Sequence, residues 1–251
     1  MGLPGIGLSN RRAGHTATVL EAALWGLVGG LALVLGALLA LIPGRSIPER
    51  AVGFVMAFGA GVLISAVAFD LTEEAITIGG GVAAALGLGA GALVYYGGDR
   101  LIDRGGSGDS DDPRGIVLGA LLDGIPESAA IGLTLLSGGG VSVSFIVAVF
   151  ISNLPESIAA SAELEPKHPR RWILGLWVAI ALASAVAAAL GYEVLGGASD
   201  DVVAFVKAFA GGAILCMLAD TMVPQALKKA GTSVGLVTVL GFALAALLST
   251  A

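Results

Sequence analysis

The 251-residue chain is 56% hydrophobic and only 13% charged, with a formal net charge of −6 and a mean hydropathy of +0.93. Soluble domains carry about 25% charged residues, so a water-soluble globule is excluded, and an acidic chain without a basic stripe excludes nucleic acid as a partner. The single cysteine, Cys216, lies in an apolar run, which excludes a disulfide framework and a thiolate metal cluster.

A membrane span needs about 20 apolar residues. In chain order the sequence predicts an extracytoplasmic tail over 1–16, then spans at about 17–42, 51–71, 79–99, 115–137, 141–163, 171–193, 202–224 and 232–250. The first run is too long for the core of a signal peptide. The run Ser137-Gly138-Gly139-Gly140 separates the fourth and fifth spans, and 100–114, rich in Gly, Ser and Asp, reads as a flexible loop. Gly26/Gly30 and Gly87/Gly91 are expected to serve close helix packing or dimer contacts.

The basic residues orient the spans. Arg45 and Arg50, then Arg100, Arg104 and Arg114, then Lys167, Arg170 and Arg171, and finally Lys228 and Lys229 occupy alternate loops, which are therefore cytoplasmic. Lys207 lies inside the seventh span, and only Arg11 and Arg12 in the tail depart from the pattern. Both termini are expected outside, and the compact chain suits a prokaryotic inner or plasma membrane.

The second span, Phe58 to Glu74, is echoed by the seventh, Phe209 to Gln225: an aromatic, then small residues and aliphatics, then Asp70 or Asp220. The fourth and fifth echo each other in Ile125-Pro126-Glu127-Ser128 and Leu154-Pro155-Glu156-Ser157. Each pair runs in opposite directions through the bilayer by the orientation above. The expected fold is therefore an all-α integral membrane protein with eight spans in a 3+2+3 inverted repeat, whose site lies at the midplane on Pro- or Gly-interrupted helices.

At that depth the fourth span carries Asp123 and Glu127, one helical turn apart on one face, and the fifth carries Ser152, Asn153 and Glu156. Pro126 and Pro155 each remove a backbone donor, freeing the carbonyls of Leu122 and Ile151. An ionised acid at a helix centre costs about 2.5–3.5 kcal/mol, and no Lys, Arg or His is expected at the same depth. His15 and His168 lie in the tail and a loop. The acids must therefore be protonated, water-exposed in a cavity or neutralised by something outside the sequence, and a divalent cation supplies the missing charge. Asp70 is expected near the outer mouth and Asp220 near the cytoplasmic exit, with Glu73 and Glu74 interfacial.

At these residues the chain resembles the ZIP (Zrt/Irt-like) family of divalent metal transporters. The family's fourth span carries His-Asn-x-Pro-Glu-Gly where this chain has Asp123-Gly124-Ile125-Pro126-Glu127-Ser128. Its fifth span has His or Gln, then Asn, Asp or Glu, then x-Pro-Glu-Gly, where this chain has Ser152-Asn153-Leu154-Pro155-Glu156-Ser157. The resemblance implies a metal site on Asp123, Glu127, Asn153 and Glu156, with Ser152 beside them, an elevator-like motion and a homodimer. Both ligand histidines are replaced and no mid-depth acid stands in the sixth span. Carboxylate and carbonyl donors suit harder ions, imidazole suits zinc. One oxygen-rich site is expected, taking Mn, Fe or Mg, or Zn more weakly.

The chain contains no Walker motif, so ATP is not expected to drive movement, and no cofactor is expected. No nucleophile–His pair occurs in the spans, which argues against an enzyme. The expected function is gradient-driven movement of a divalent metal ion into the cytoplasm. The alternative is a member of the same fold with an eroded metal site that does not transport, or that carries a non-metal substrate.

Overall fold

Inside a bilayer each peptide N–H and C=O must find its partner within the protein, which leaves helices or closed barrels. The computed structural model, which describes residues 6–44, 47–102, 113–137 and 141–249, is helical, with no strand among those residues. The helices are α1 (Ile6–Ala40), α2 (Glu49–Ala66), α3 (Glu74–Ile102), α4 (Pro113–Thr134), α5 (Val143–Leu164), α6 (Arg170–Leu195), α7 (Asp200–Met217), α8 (Val223–Ala230) and α9 (Val234–Ser249). Short π-helical segments, Val67–Glu73 and Leu218–Met222, join α2 to α3 and α7 to α8.

Six helical stretches are long and apolar enough to cross a membrane: Val19–Ala40, Glu49–Ile102, Gly115–Thr134, Val143–Leu164, Arg170–Leu195 and Asp200–Leu247. The outward surface is aliphatic, as at Val82, Leu93, Val194 and Leu236, so the chain is a multi-pass membrane protein. Two of the stretches have 54 and 48 residues. Straight, they would be about 80 and 70 Å long, more than twice the roughly 30 Å hydrocarbon thickness. Each is broken at a glycine with a left-handed backbone, Gly80 (φ 77°) and Gly231 (φ 76°). A side chain is strained in that conformation and glycine is not. Helix α1 starts at Ile6, well before the apolar run, so residues 6–16 of the predicted tail are helical; residues 1–5 and most of the predicted 100–114 loop lie outside the described residues.

The helices pack as two groups. In one, α1 lies against α5 and α6, and α4 against α6; in the other, α2 lies against α9 and α3 against α7. Contacts of α2 with α5 and of α4 with α7 join the groups. Small residues set the close approaches: Gly26 and Gly30 of α1 face Ala188 and Ala181 of α6, and Gly87 and Gly91 of α3 lie against the backbone of Phe205 and Phe209. Both predicted glycine pairs are therefore intrachain packing surfaces.

The second group has matching parts. A Cβ at Gly241 would strike the Phe58 carbonyl, and one at Gly91 the Phe209 carbonyl. The π-helical segments begin at Val67 and Leu218, and the turn glycines stand at Gly80 and Gly231, each pair at the same separation as Phe58 and Phe209. In that register Asp70 corresponds to Thr221, with Asp220 one residue earlier.

Candidate functional site

A polar cavity lies where the two groups meet. About 500 Å³ in volume, it is lined by Asp123 and Glu127 of α4, Ser152 and Glu156 of α5, and Met56, Met217, Thr221, Met222 and Gln225 from α2 and the α7–α8 run. Glu49, Glu163, Lys228 and Lys229 also line it, all at helix ends next to the loops assigned as cytoplasmic.

Helices α4 and α5 run unbroken through Pro126 and Pro155. A proline inside a helix leaves one carbonyl without its usual donor; that of Ile151 comes against Gly59 of α2, where the absent side chain admits it. Ser142 caps α5, its Oγ accepting from the Phe145 N–H at 3.2 Å. These features set Ser152 and Glu156 one turn apart on the cavity wall.

Glu127 is 1% exposed. The Ser152 hydroxyl donates to its Oε1 at 3.4 Å, a long contact, while its Oε2 is buried without a hydrogen-bond partner. An orphaned carboxylate oxygen is rare in folded proteins and points to a missing ligand or proton. Asp123 accepts a short hydrogen bond, 2.6 Å, from the Tyr95 hydroxyl of α3, which also lies 3.4 Å from Thr221 Oγ1. Glu156 is close enough for the charges of Asp123 and Glu127 to act on it. Among the described residues none of these three acids forms an ion pair. Three acids without an ion pair thus face the cavity, whose lysines, Lys228 and Lys229, stand at helix ends.

The structure separates the remaining expected ligands from this group. Asn153 is buried, but its side-chain amide donates to the Gly29 carbonyl at 3.1 Å, tying α5 to α1, and it does not line the cavity. Asp220 is exposed away from the cavity and accepts a 3.4 Å contact from the Cys216 thiol. Asp70 accepts from the Ser144 hydroxyl at 3.1 Å, toward the other end of the bundle. Among the described residues no three His, Cys, Asp or Glu side chains stand close enough together to hold one ion in this conformation.

Six participants were not singled out from the sequence. Tyr95 and Thr221 are ordinary span residues by type, and only the packing of α3 and α7 on α4 brings them to Asp123. Lys207 is completely buried, and its ammonium lies 2.6 Å from a carboxylate oxygen of Glu74, which the sequence reading left at the interface. A lone lysine in an apolar run was the available signal, since such residues seldom lack a partner. Met56, Met217 and Met222, the chain's methionines beyond Met1, all line the cavity. Their thioethers add soft donors to a wall expected to hold oxygens alone.

No family model matches the chain. It is similar to a protein of Arabidopsis thaliana named "Putative zinc transporter At3g08650", 26% identical over 239 residues. That alignment covers 91% of this chain but only 38% of the plant protein, so the chain spans about two fifths of the relative it matches. The chain is thus a multi-pass membrane protein, with a carboxylate-lined cavity, that is distantly homologous to a protein named for zinc transport.

Proposed function

We propose that this protein is a secondary transporter that moves a divalent metal cation across the membrane, with Asp123, Glu127, Glu156 and Ser152 as the oxygen-donor set. The observation that carries this reading is Glu127: a buried carboxylate oxygen with no partner, beside two more acids, on the wall of an open cavity. An unneutralised cluster of this kind in an apolar protein is costly, and a bound divalent ion removes the cost.

In this reading the chain crosses eight times, the glycine turns at 80 and 231 dividing the two longest stretches, with both termini outside. The cavity then opens to the cytoplasm, the direction of release for an uptake protein. Helices α4 and α5 of the first group carry the acids, while α2, α7 and α8 of the second supply the opposing wall, as an elevator motion of one group against the other requires. Asn153 anchors α5 to α1 in this state, and Asp70 receives ions at the outer mouth, whereas Asp220, exposed away from the cavity, is left without a part. A homodimer through the α2, α3, α7 and α9 group would give the stationary half its mass.

The carboxylates favour harder ions and the three thioethers softer ones. We therefore assign the substrate to divalent ions between these limits, Mn, Fe and Zn, ahead of Mg and Ca. The plant relative's name supports including zinc. One observation favours a second reading, a fold that has lost its metal site: among the described residues no three His, Cys, Asp or Glu side chains converge on one point.

The test is thermal stability of the detergent-purified protein and flux in proteoliposomes across Zn, Mn, Fe(II), Cd, Mg and Ca, wild type against Glu127→Ala and Glu156→Ala. Stabilisation and flux for one or two ions, lost in both variants, are expected. Neither stabilisation nor flux with any ion would overturn the metal reading and leave the eroded-site or non-metal one.

A further inference from the structure

Opposite the carboxylate cavity, a second pocket of about 410 Å³ is lined by Thr77, Ile78, Leu136, Leu195, Val203 and Lys207, among others. These residues lie at the ends of helices that face the extracytoplasmic side in the orientation proposed above. Lys207 is 0% exposed, yet it lines this pocket, and its ammonium is bonded to Glu74 across the α3–α7 contact. Asp70, held by Ser144 of α5, is near enough for its charge to act on both. The trio therefore joins α7 and α3 of one helix group to α5 of the other, at the outer end of the boundary between them.

The repeat register makes this trio informative. At the separation that relates Phe58 to Phe209 and Gly80 to Gly231, Lys207 corresponds to Met56, Glu74 to Gln225 and Asp70 to Thr221. Met56, Gln225 and Thr221 all line the open carboxylate cavity. The three positions are thus neutral where they line the inner cavity, and charged at the outer end, where Lys207 lines the second pocket and pairs with Glu74. A buried ion pair holds together strongly because separating its members leaves charges in a poor solvent.

We propose that Lys207 and Glu74 form an ion-pair latch closing the outer path, with the Lys207 ammonium as a tethered cation in the place a metal ion must cross. This rests on the transport reading for its purpose, but not for its geometry. An arriving divalent ion offers Asp70 and Glu74 a stronger counter-charge than the ammonium, which is released toward the pocket, and the outer end of the boundary opens. The inner mouth, lacking charge at the matching positions, has no such latch and rests open.

The test introduces Val203→Cys in the outer pocket or Ala159→Cys in the inner cavity, each in a Cys216→Ser background. Labelling by a membrane-impermeant maleimide is followed in right-side-out and inside-out vesicles. Lys207→Met and Glu74→Gln, which install the residues of the other half, should each raise the outer labelling rate at least tenfold and lower the inner rate. The charge swap Lys207→Glu with Glu74→Lys should return both rates to within threefold of the parent, which separates a latch from a general loosening. Should Lys207→Met fail to fold, Glu74→Gln and the swap decide the matter by the same readout. Unchanged labelling in the neutralised variants, or a swap that labels as fast as they do, would overturn the latch. Zinc and manganese flux measured in the same vesicles keeps the two readings apart. Flux in the parent with unmoved labelling sinks the latch alone, whereas shifted labelling with no flux in the parent sinks transport and keeps the latch.

Discussion

Replacing Glu127 by glutamine removes one charge and almost no volume, and the structure sets the expected size of the effect. The side chain is 1% exposed, one oxygen has a long contact from Ser152 and the other has none. An ionised carboxylate at such depth costs about 3 kcal/mol. Glutamine removes that cost but leaves a buried amide short of an acceptor, worth about 1–2 kcal/mol. The metal-free variant should therefore be more stable than wild type by about 1–2 kcal/mol, a rise in Tm of about 2–8 °C for a chain of this size. With metal at about a hundred times Kd the wild type should gain about 2.7 kcal/mol, or about 5–11 °C, and the variant should gain little. Differential scanning fluorimetry in detergent, with and without each ion, measures both. A variant that melts below wild type without metal and keeps the full metal response would refute the reasoning, because Glu127 would then be a satisfied structural acid.

Gly91→Ala should destabilise the protein by about 1–3 kcal/mol, because the new methyl group falls on the Phe209 backbone and the α3–α7 spacing must widen. Gly89→Ala, one turn face away with nothing within 4 Å, should be neutral or stabilising by about 0.5–1 kcal/mol; chemical denaturation of the pair checks both. Tyr95→Phe deletes the 2.6 Å hydrogen bond to Asp123 and should lower stability by about 1.5–3 kcal/mol. In the same variant the metal response should persist, since Tyr95 positions an acid and does not itself line the cavity; its loss would make Tyr95 part of the binding set.

The helices were legible in the sequence because their cause is local. Long apolar runs in a solvent that cannot hydrogen-bond must be helical, and the predicted spans at 141–163 and 171–193 lie within two residues of α5 and α6 at either end. The acids were legible for a related reason: Asp123, Glu127 and Glu156 have no business in an apolar run unless something meets their charge. What meets each of them was not legible, since it comes from helices distant in the chain. The phenol on Asp123 comes from α3, and the amide of Asn153 is drawn to α1 and away from the cavity.

The matching parts of the second group show the same division. Phe58 and Phe209 were visible as echoes, each followed by an aspartate eleven or twelve positions on, whereas the structural separations set Asp70 against Thr221. The left-handed glycines and the π-helical segments fix the alignment, and those are backbone states that an Ala- and Gly-rich sequence does not announce. The sequence by itself determined that this chain crosses a membrane as helices and carries acids within its apolar runs, because the bilayer acts on each segment separately. Only the tertiary structure decided which acids share a cavity, that Glu127 is left with an empty oxygen, and that Lys207 finds Glu74. Those outcomes depend on how closely glycine-bearing helices approach, a property of pairs of segments and not of either one.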